Sequence, residues 1–318
     1  MAGKELTLLV NPHAGRGKAL GTAQLAAAVL RGRGIPVDLP APESVSAMRV
    51  AAAGAVQRGD VGIVVVGGDG MCHLAVQELA GTATALGIIP VGTGNDFATA
   101  LGFPAEVRSA AGGIADAVTS AEYRTVDLAR SGTRWWASVL CAGFDSAVND
   151  RANRLRWPHG PRRYDVALLA ELVALRAVPM TLELDRQTVS VDATLVAVGN
   201  TSSYGGGIPI CPDADPRDGL LDVTVVGAVS RRELIRVTPT LRRGQHLTHP
   251  AVSTYRTRSI TLRSDATPVV TAYADGEPIQ ALPVSATCHP DALRVLQLWP
   301  ADSATSAMPF QARAEPES

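Results

Sequence analysis

One carboxylate stands among three glycines at Gly67-Gly68-Asp69-Gly70, directly after the apolar run VGIVVV. A short apolar run stopped by glycines reads as a buried strand followed by a turn that keeps side chains clear. Backbone N–H groups in such a turn attract an anion, so a bare carboxylate beside them makes sense when a cation sits between the two. A phosphate carrying Mg2+ meets that requirement. Two further turns share the setting: NPHAGRGKA at 11–19 after ELTLLV, and PVGTGNDFA at 90–98 closing ALGIIP. A glycine after a strand is most often only a tight turn. Three such turns at one end of one sheet would converge on a single anion-sized cleft.

Neither standard phosphate loop is present. A Walker A loop needs G-x-x-x-x-G-K-[ST], but Gly17-Lys18 is followed by Ala19, and Pro12 stands where the first glycine belongs. A dinucleotide fingerprint needs G-x-G-x-x-G, and Gly92-Thr93-Gly94-Asn95-Asp96 runs into Phe97.

The elements that must position these turns alternate over residues 1–130. ELTLLV, IPVDLP, VGIVVV and ALGIIP read as strands, with helical patterns from about Lys18, through SAMRVAAAGAVQ and from Met71. That alternation predicts βαβ units and a parallel sheet, whose ligands bind at the carboxyl ends of the strands. Over residues 131–290 the rhythm changes to segments such as TRWWASVLCAG, MTLELD, TVSVDATLVAVG, LLDVTVVG, VSTYRTRSITLR and PVVTAYADG, which read as antiparallel strands. Helices interrupt them at YDVALLAELVALR and near RRELIRVTPTLRRG. The expected architecture is a two-domain α/β chain with a mainly β second domain. A final strand around 291–299 fits either domain, and 300–318 reads as a disordered tail.

The 318-residue length favours two domains, and 46% hydrophobic with 19% charged residues is ordinary for a globular protein. A net charge of −1 gives no global attraction to nucleic acid or to an anionic membrane, so any such contact must be local. Cys72, Cys141, Cys211 and Cys288 lie far apart without C-x-x-C spacing, which points to a reducing, cytoplasmic setting. The apolar stretch LTLLV stops at Asn11-Pro12, too early for a signal peptide, and no run approaches the roughly 18 residues of a membrane span. A lipid-active protein of this kind would visit the inner face of the membrane from the cytosol. The sequence leaves a homodimer open.

Taken in order, NPHAGRGKA, GGDGM, GTGNDFA, TVDLA at 125–129, CPDADPRDGLLDV at 211–223 and ADGEPI at 274–279 resemble the bacterial diacylglycerol kinase and lipid kinase family. The resemblance implies a phosphofructokinase-like α/β domain that binds ATP, a β-sandwich domain, an active site between them and a role in phospholipid biosynthesis. It implies that Asn11, Pro12, His13, Ala14 and Gly15, with Gly67, Gly68, Asp69, Gly70 and Met71, hold ATP phosphates beside Thr93, Asn95 and Asp96. Asp69, Asp96 and Asp127 would belong to a carboxylate, water and Mg2+ network. Glu277 matches the base, with Asp275 next to it as a further catalytic candidate, and Asp218 with the carbonyls of Asp215 and Leu220 matches a structural Mg2+ site. Phosphoryl transfer asks a protein mainly to position groups and neutralise charge, which suits this equipment.

Plainer readings stand beside these. Asp218 could be only a turn residue before Gly219, Asp275-Gly276 a hairpin corner, and Asp127 a buried, satisfied carboxylate. The family usually has Thr at the place of Met71, and Asn-Glu where His73-Leu74 stand. Five arginines from Arg151 to Arg163 surround Trp157; they read as a solvated basic face or as contact with anionic lipid, and nucleic acid is disfavoured for want of an aromatic platform. The expected activity is phosphorylation of a membrane-lipid hydroxyl, by family default diacylglycerol. A soluble-substrate kinase resembling NAD kinase and an inactive nucleotide-binding regulator are the alternatives.

Overall fold

The computed structural model describes residues 5–11, 19–40, 42, 44–155, 166–167, 170–172, 174–267 and 269–297. Pro12 to Gly15 of the first turn, Trp157 with Arg156, Arg162 and Arg163, and the segment 300–318 lie outside the described residues.

The first half builds β1 (Leu6–Val10), α1 (Ala19–Gly32), β2 (Val37–Asp38), α2 (Val45–Arg58), β3 (Gly62–Gly67), α3 (Asp69–Leu79), β4 (Ala85–Pro90), α4 (Asp96–Ala100) and α5 (Val107–Ser120). The strands are parallel in the order β4-β3-β1-β2. Every residue of β1 and β3 is buried, as a sheet covered by helices on both faces requires. The helices lay alanines on it: Ala23, Ala26 and Ala27 of α1, Ala52 and Ala55 of α2, and Ala110, Ala111 and Ala115 of α5 are all buried. Small side chains let the helix backbones approach the Val and Ile of the strands closely. Helix α2 starts at Ser44, whose hydroxyl accepts from Ala47 N, and ends at Gly59 in the left-handed conformation.

The second half comprises β5 (Arg124–Ser131), β6 (Arg134–Trp136), β7 (Val139–Gly143), α6 (Phe144–Arg154), β8 (Val178–Leu184), β9 (Thr188–Gly199), β10 (Leu221–Gly227), α7 (Arg231–Leu241), β11 (Val252–Thr257), β12 (Ser259–Arg263), β13 (Thr271–Ala274), β14 (Glu277–Ala281) and β15 (Val284–Val295). These pair antiparallel around a core that includes Trp136, Leu140, Val196, Val198, Leu221, Val223, Ile260 and Leu262. A smaller cluster, Val139, Leu195, Ala197, Ile210 and Cys211, lies on the other face of β7 and β9.

Two runs that read as single strands are broken. TRWWASVLCAG divides into β6 and β7 because the N–H groups of Ala137 and Ser138 leave the ladder for the Asp275 carboxylate. VSTYRTRSITLR divides at Arg258, whose N–H turns with that of Ser259 to Asp185, sending β11 to β10 and β12 to β8 and β15. The final strand serves both halves: β15 pairs with β12 and β5, and its last residue, Val295, pairs in parallel with Leu86 of β4. One hydrogen-bonded sheet therefore runs through the chain. No described helix is long and apolar enough to cross a membrane, and the four cysteines are free and buried.

Candidate active site

The registers Val10↔Val66 and Gly67↔Pro90 set the ends of β1, β3 and β4 side by side, so Asn11, the Gly68 turn and the Gly92 turn share one edge of the sheet. The second and third turns touch through bare backbone: a Cβ on Gly92 would lie 2.6 Å from the Gly68 Cα. Only glycine permits that approach. Asn95, left-handed at φ 57°, clamps the third turn by accepting from Gly92 N at 3.0 Å and donating to Gly92 O at 2.8 Å. Gly70 and Thr93 are exposed beside this edge, while Met71 is turned inward, its Cγ against Gly67. The Met71 side chain is thus core packing rather than turn lining.

Asp69 is the first residue of α3, its Oδ1 accepting from Phe97 N at 3.2 Å. Its Oδ2 points across Gly94, where an added Cβ would lie 2.8 Å from it and 3.3 Å from Asp96 Oδ2. Burial pushes the Asp69 carboxyl up from its ordinary range against the Phe97 hydrogen bond, and the Asp96 and Asp275 charges add to the rise. Asp69 Oδ2 and Asp96 Oδ2 both face Gly94, and carboxylate oxygens are the hard donors that Mg2+ takes.

Asp96 was expected beside ATP. It is buried, and accepts from Gly206 N at 2.8 Å and Gly207 N at 2.6 Å. These bonds pull the glycine loop of the second half, Gly205 to Gly207, onto the third turn. Asp275 arrives from the second half too. Left-handed at φ 52°, it heads the β13–β14 hairpin, accepts from Ser138 N at 2.8 Å and Ala137 N at 2.9 Å, and faces His73 Nδ1 at 3.1 Å. Two residues on, Glu277 opens β14 with its side chain exposed. Asn153 of α6 donates to Gly276 O at 3.4 Å and steadies the hairpin tip.

His73 was singled out in the sequence only as a departure from the family pattern, and Gln77 was not singled out. They follow Asp69 at i+4 and i+8, one face of α3. Gln77 pairs with both the N–H and the C=O of Trp135, at 3.1 and 2.7 Å. A polar stripe at helical spacing on a helix that opens with a candidate site residue was the available signal.

The expected metal positions each have protein hydrogen-bond partners of their own. Asp127 is not grouped with Asp69 and Asp96: its carboxylate accepts from Gly219 N at 2.7 Å and Asp291 N at 3.0 Å, pinning the 216–219 turn to the irregularity in β15. The satisfied-carboxylate reading describes it, because both oxygens are taken by backbone donors. Asp215, Asp218 and Leu220 lie in one turn. Arg217 N and Asp218 N donate to Asp215 O, Leu220 N donates to Asp218 Oδ1, and the Arg256 guanidinium covers Asp218 Oδ2. Burial still holds the Asp218 carboxyl above its ordinary range, against the Leu220 hydrogen bond and the Arg256 charge. Among the described residues no group of three or more acidic, His or Cys side chains is arranged to hold a metal.

Residues 5–131 match the diacylglycerol kinase catalytic domain, and residues 138–297 the YegS C-terminal NAD kinase beta sandwich-like domain. A diacylglycerol kinase of Mycobacterium tuberculosis strain H37Rv is 44% identical over 300 residues, spanning 92% of this chain and 95% of that protein. A protein of Stenotrophomonas maltophilia named probable lipid kinase YegS-like is 32% identical over 295 residues, spanning 88% and 93%. Two Bacillus anthracis crystal structures share the fold. One superposes with a TM-score of 0.76 at 21% identity over 94% of this chain and 96% of that chain. The other, a diacylglycerol kinase, gives 0.69 at 19% identity over 94% and 98%.

Proposed function

The chain belongs to the diacylglycerol kinase and lipid kinase family, and from that premise we propose that it transfers the γ-phosphoryl group of ATP to a hydroxyl of a membrane lipid, with diacylglycerol the first choice of acceptor. The observation that carries this reading is the meeting of two halves at one place. Asp69 and the glycine turns come from the parallel sheet, and the hairpin bearing Asp275 and Glu277 comes from the sandwich, joined by His73.

In this reading Asn11, Gly67, Gly68, Gly70, Thr93 and Asn95 line the nucleotide phosphates, and Asp96 holds the opposing glycine loop in place. Asp69 is the residue that would hold Mg2+, which when bound neutralises charge on the transferring phosphoryl group. Glu277 orients the acceptor hydroxyl and takes its proton as the new P–O bond forms. Its exposure leaves it free to reach a substrate, whereas Asp275 is fully engaged by backbone and His73. A cleft of about 570 Å3 beside α6, lined by Phe144, Ala147, Leu175, Val178 and Val270 among others, offers apolar wall for the acceptor's chains close to the hairpin.

The test is direct incubation of the purified protein with labelled ATP, Mg2+ and a panel of acceptors: diacylglycerol, other lipid alcohols and NAD. Label in phosphatidic acid is expected. Label in NAD with none in any lipid would overturn the reading.

A further inference from the structure

Helix α7 has one face with no partner. Its segment 231–243 carries five arginines, Arg231, Arg232, Arg236, Arg242 and Arg243, against the single acid Glu233, in a chain whose net charge is −1. All five are exposed, and among the described residues none makes an ion pair or a side-chain hydrogen bond. Glu233 is turned away from them, closing the capping box with Ser230 and pairing with His249 at 3.3 Å. In the middle of the arginines Ile235 is 58% exposed. At 100° per residue Arg231, Arg232, Ile235 and Arg236 share one side of the helix, while Leu234, Val237 and Leu241 are half-buried on the other.

We propose that this face of α7 is a docking surface for an anionic lipid bilayer, with Ile235 entering the headgroup boundary and the arginines lying around it against lipid phosphates. The inference rests on the lipid-kinase reading for its purpose and on three observations for its substance. First, the charge is complementary to an anionic surface and unspent, unlike that of Arg151 and Arg154 beside the cleft, which pair with Glu171 and Asp150. Second, an exposed isoleucine ringed by arginines is the pattern of a helix lying in a membrane interface, where long basic side chains reach the headgroups and an apolar residue enters beneath them. Third, the helix stands where delivery is useful. Leu241 packs on the small cluster with Tyr204, and Gly244 just beyond lies against Pro209 and Pro212. That 204–212 segment carries the glycine loop bonded to Asp96.

Sedimentation with vesicles of phosphatidylcholine and phosphatidylglycerol at 7:3, against pure phosphatidylcholine, tests the surface without requiring turnover. The wild-type chain should pellet with the mixed vesicles only, and high salt should release it. The Arg231→Glu/Arg232→Glu/Arg236→Glu variant should bind at least about tenfold more weakly, and Ile235→Asp several-fold more weakly. Both replace exposed side chains, and an unchanged melting temperature confirms that they fold. Turnover on a short-chain acceptor in detergent micelles should stay within twofold of wild type. That assay reads the lipid-kinase assignment separately, since its failure in the wild type would leave the vesicle result standing. Wild-type partitioning by the triple variant, equal binding to neutral vesicles, or a dimer dissolved by these substitutions with vesicle binding intact would overturn the proposal.

Discussion

His73 Nδ1 lies 3.1 Å from Asp275 Oδ2, joining a helix of the parallel half to the hairpin of the sandwich through two buried side chains. The same Asp275 oxygen accepts from Ala137 N, so one carboxylate atom organises the gap between β6 and β7 and receives the helix. The contact fixes the distance between Asp69, four residues before His73, and Glu277, two residues after Asp275. Loosening it should therefore slow phosphoryl transfer without removing any group that touches ATP. His73→Ala is expected to lower kcat roughly tenfold, matching the loss of about one hydrogen bond, with KM for ATP within threefold. His73→Asn, which keeps a donor, should recover part of the loss. Unchanged kcat in the alanine variant would remove His73 from this role.

Asp69→Asn should keep the fold, because the amide oxygen can still accept from Phe97 N. Turnover should fall at least about 100-fold, equivalent to roughly 2.7 kcal/mol of transition-state stabilisation. The comparison to make is single-turnover rate together with melting temperature; activity within threefold of wild type rejects the assignment.

Glu277 and Asp275 separate chemistry from architecture. Glu277→Gln is exposed and should leave melting unchanged while slowing turnover by about 100-fold or more, the contribution usual for a general base. Asp275→Asn keeps one accepting oxygen and sets an amide N–H2 against the other of the two N–H groups, Ala137 or Ser138, and should destabilise the fold by about 1 to 3 kcal/mol. Should Glu277→Gln retain a third of the activity, the base lies elsewhere.

Asp145 at the start of α6 supplies a pH test. Burial pushes its carboxyl up to about 7, and the Tyr204 hydroxyl donates to it. A carboxyl with a raised folded pKa holds its proton better folded than unfolded. Its favourable contribution is therefore complete below the unfolded value near 4 and declines as pH rises to about 7, where it levels off. Asp145→Asn abolishes that dependence. Relative to wild type it should gain stability between pH 4.5 and pH 8, by roughly 2 kcal/mol after allowance for partial solvent access. Parallel denaturant midpoints for the two proteins across that interval would contradict the origin assigned to the shift.

What could be read from the chain was what local spacing encodes. The three turns were visible because glycine after an apolar run has few explanations, and the registers do place Asn11, the Gly68 turn and the Gly92 turn at one edge. Where Asp96 and Asp275 send their hydrogen bonds was not visible. Asp96 bonds to residues 110 and 111 positions away and Asp275 to residues 137 and 138 away, and no local pattern announces such distances. The donors that Asp127 meets, Gly219 N and Asp291 N, were hidden for the same reason, since only the sheet assembles them. His73 was noticed only as a departure from the family pattern, although its spacing from Asp69 already put the two on one face of α3.

The sharing of β15 between the two halves has a consequence during synthesis. Strand β4 is bonded on one side to β3, but its other side waits for Val295, about 200 residues later in the chain. At the usual pace of translation that interval lasts roughly 10 to 40 s. For all of it, the parallel half carries an apolar strand with open N–H and C=O groups, the kind of edge that pairs with a neighbouring chain. Expression slowed near the 3′ end of the message, or a chain stopped before residue 290, should therefore lose the ATP-binding half to aggregation even though every residue expected to touch ATP has already been made.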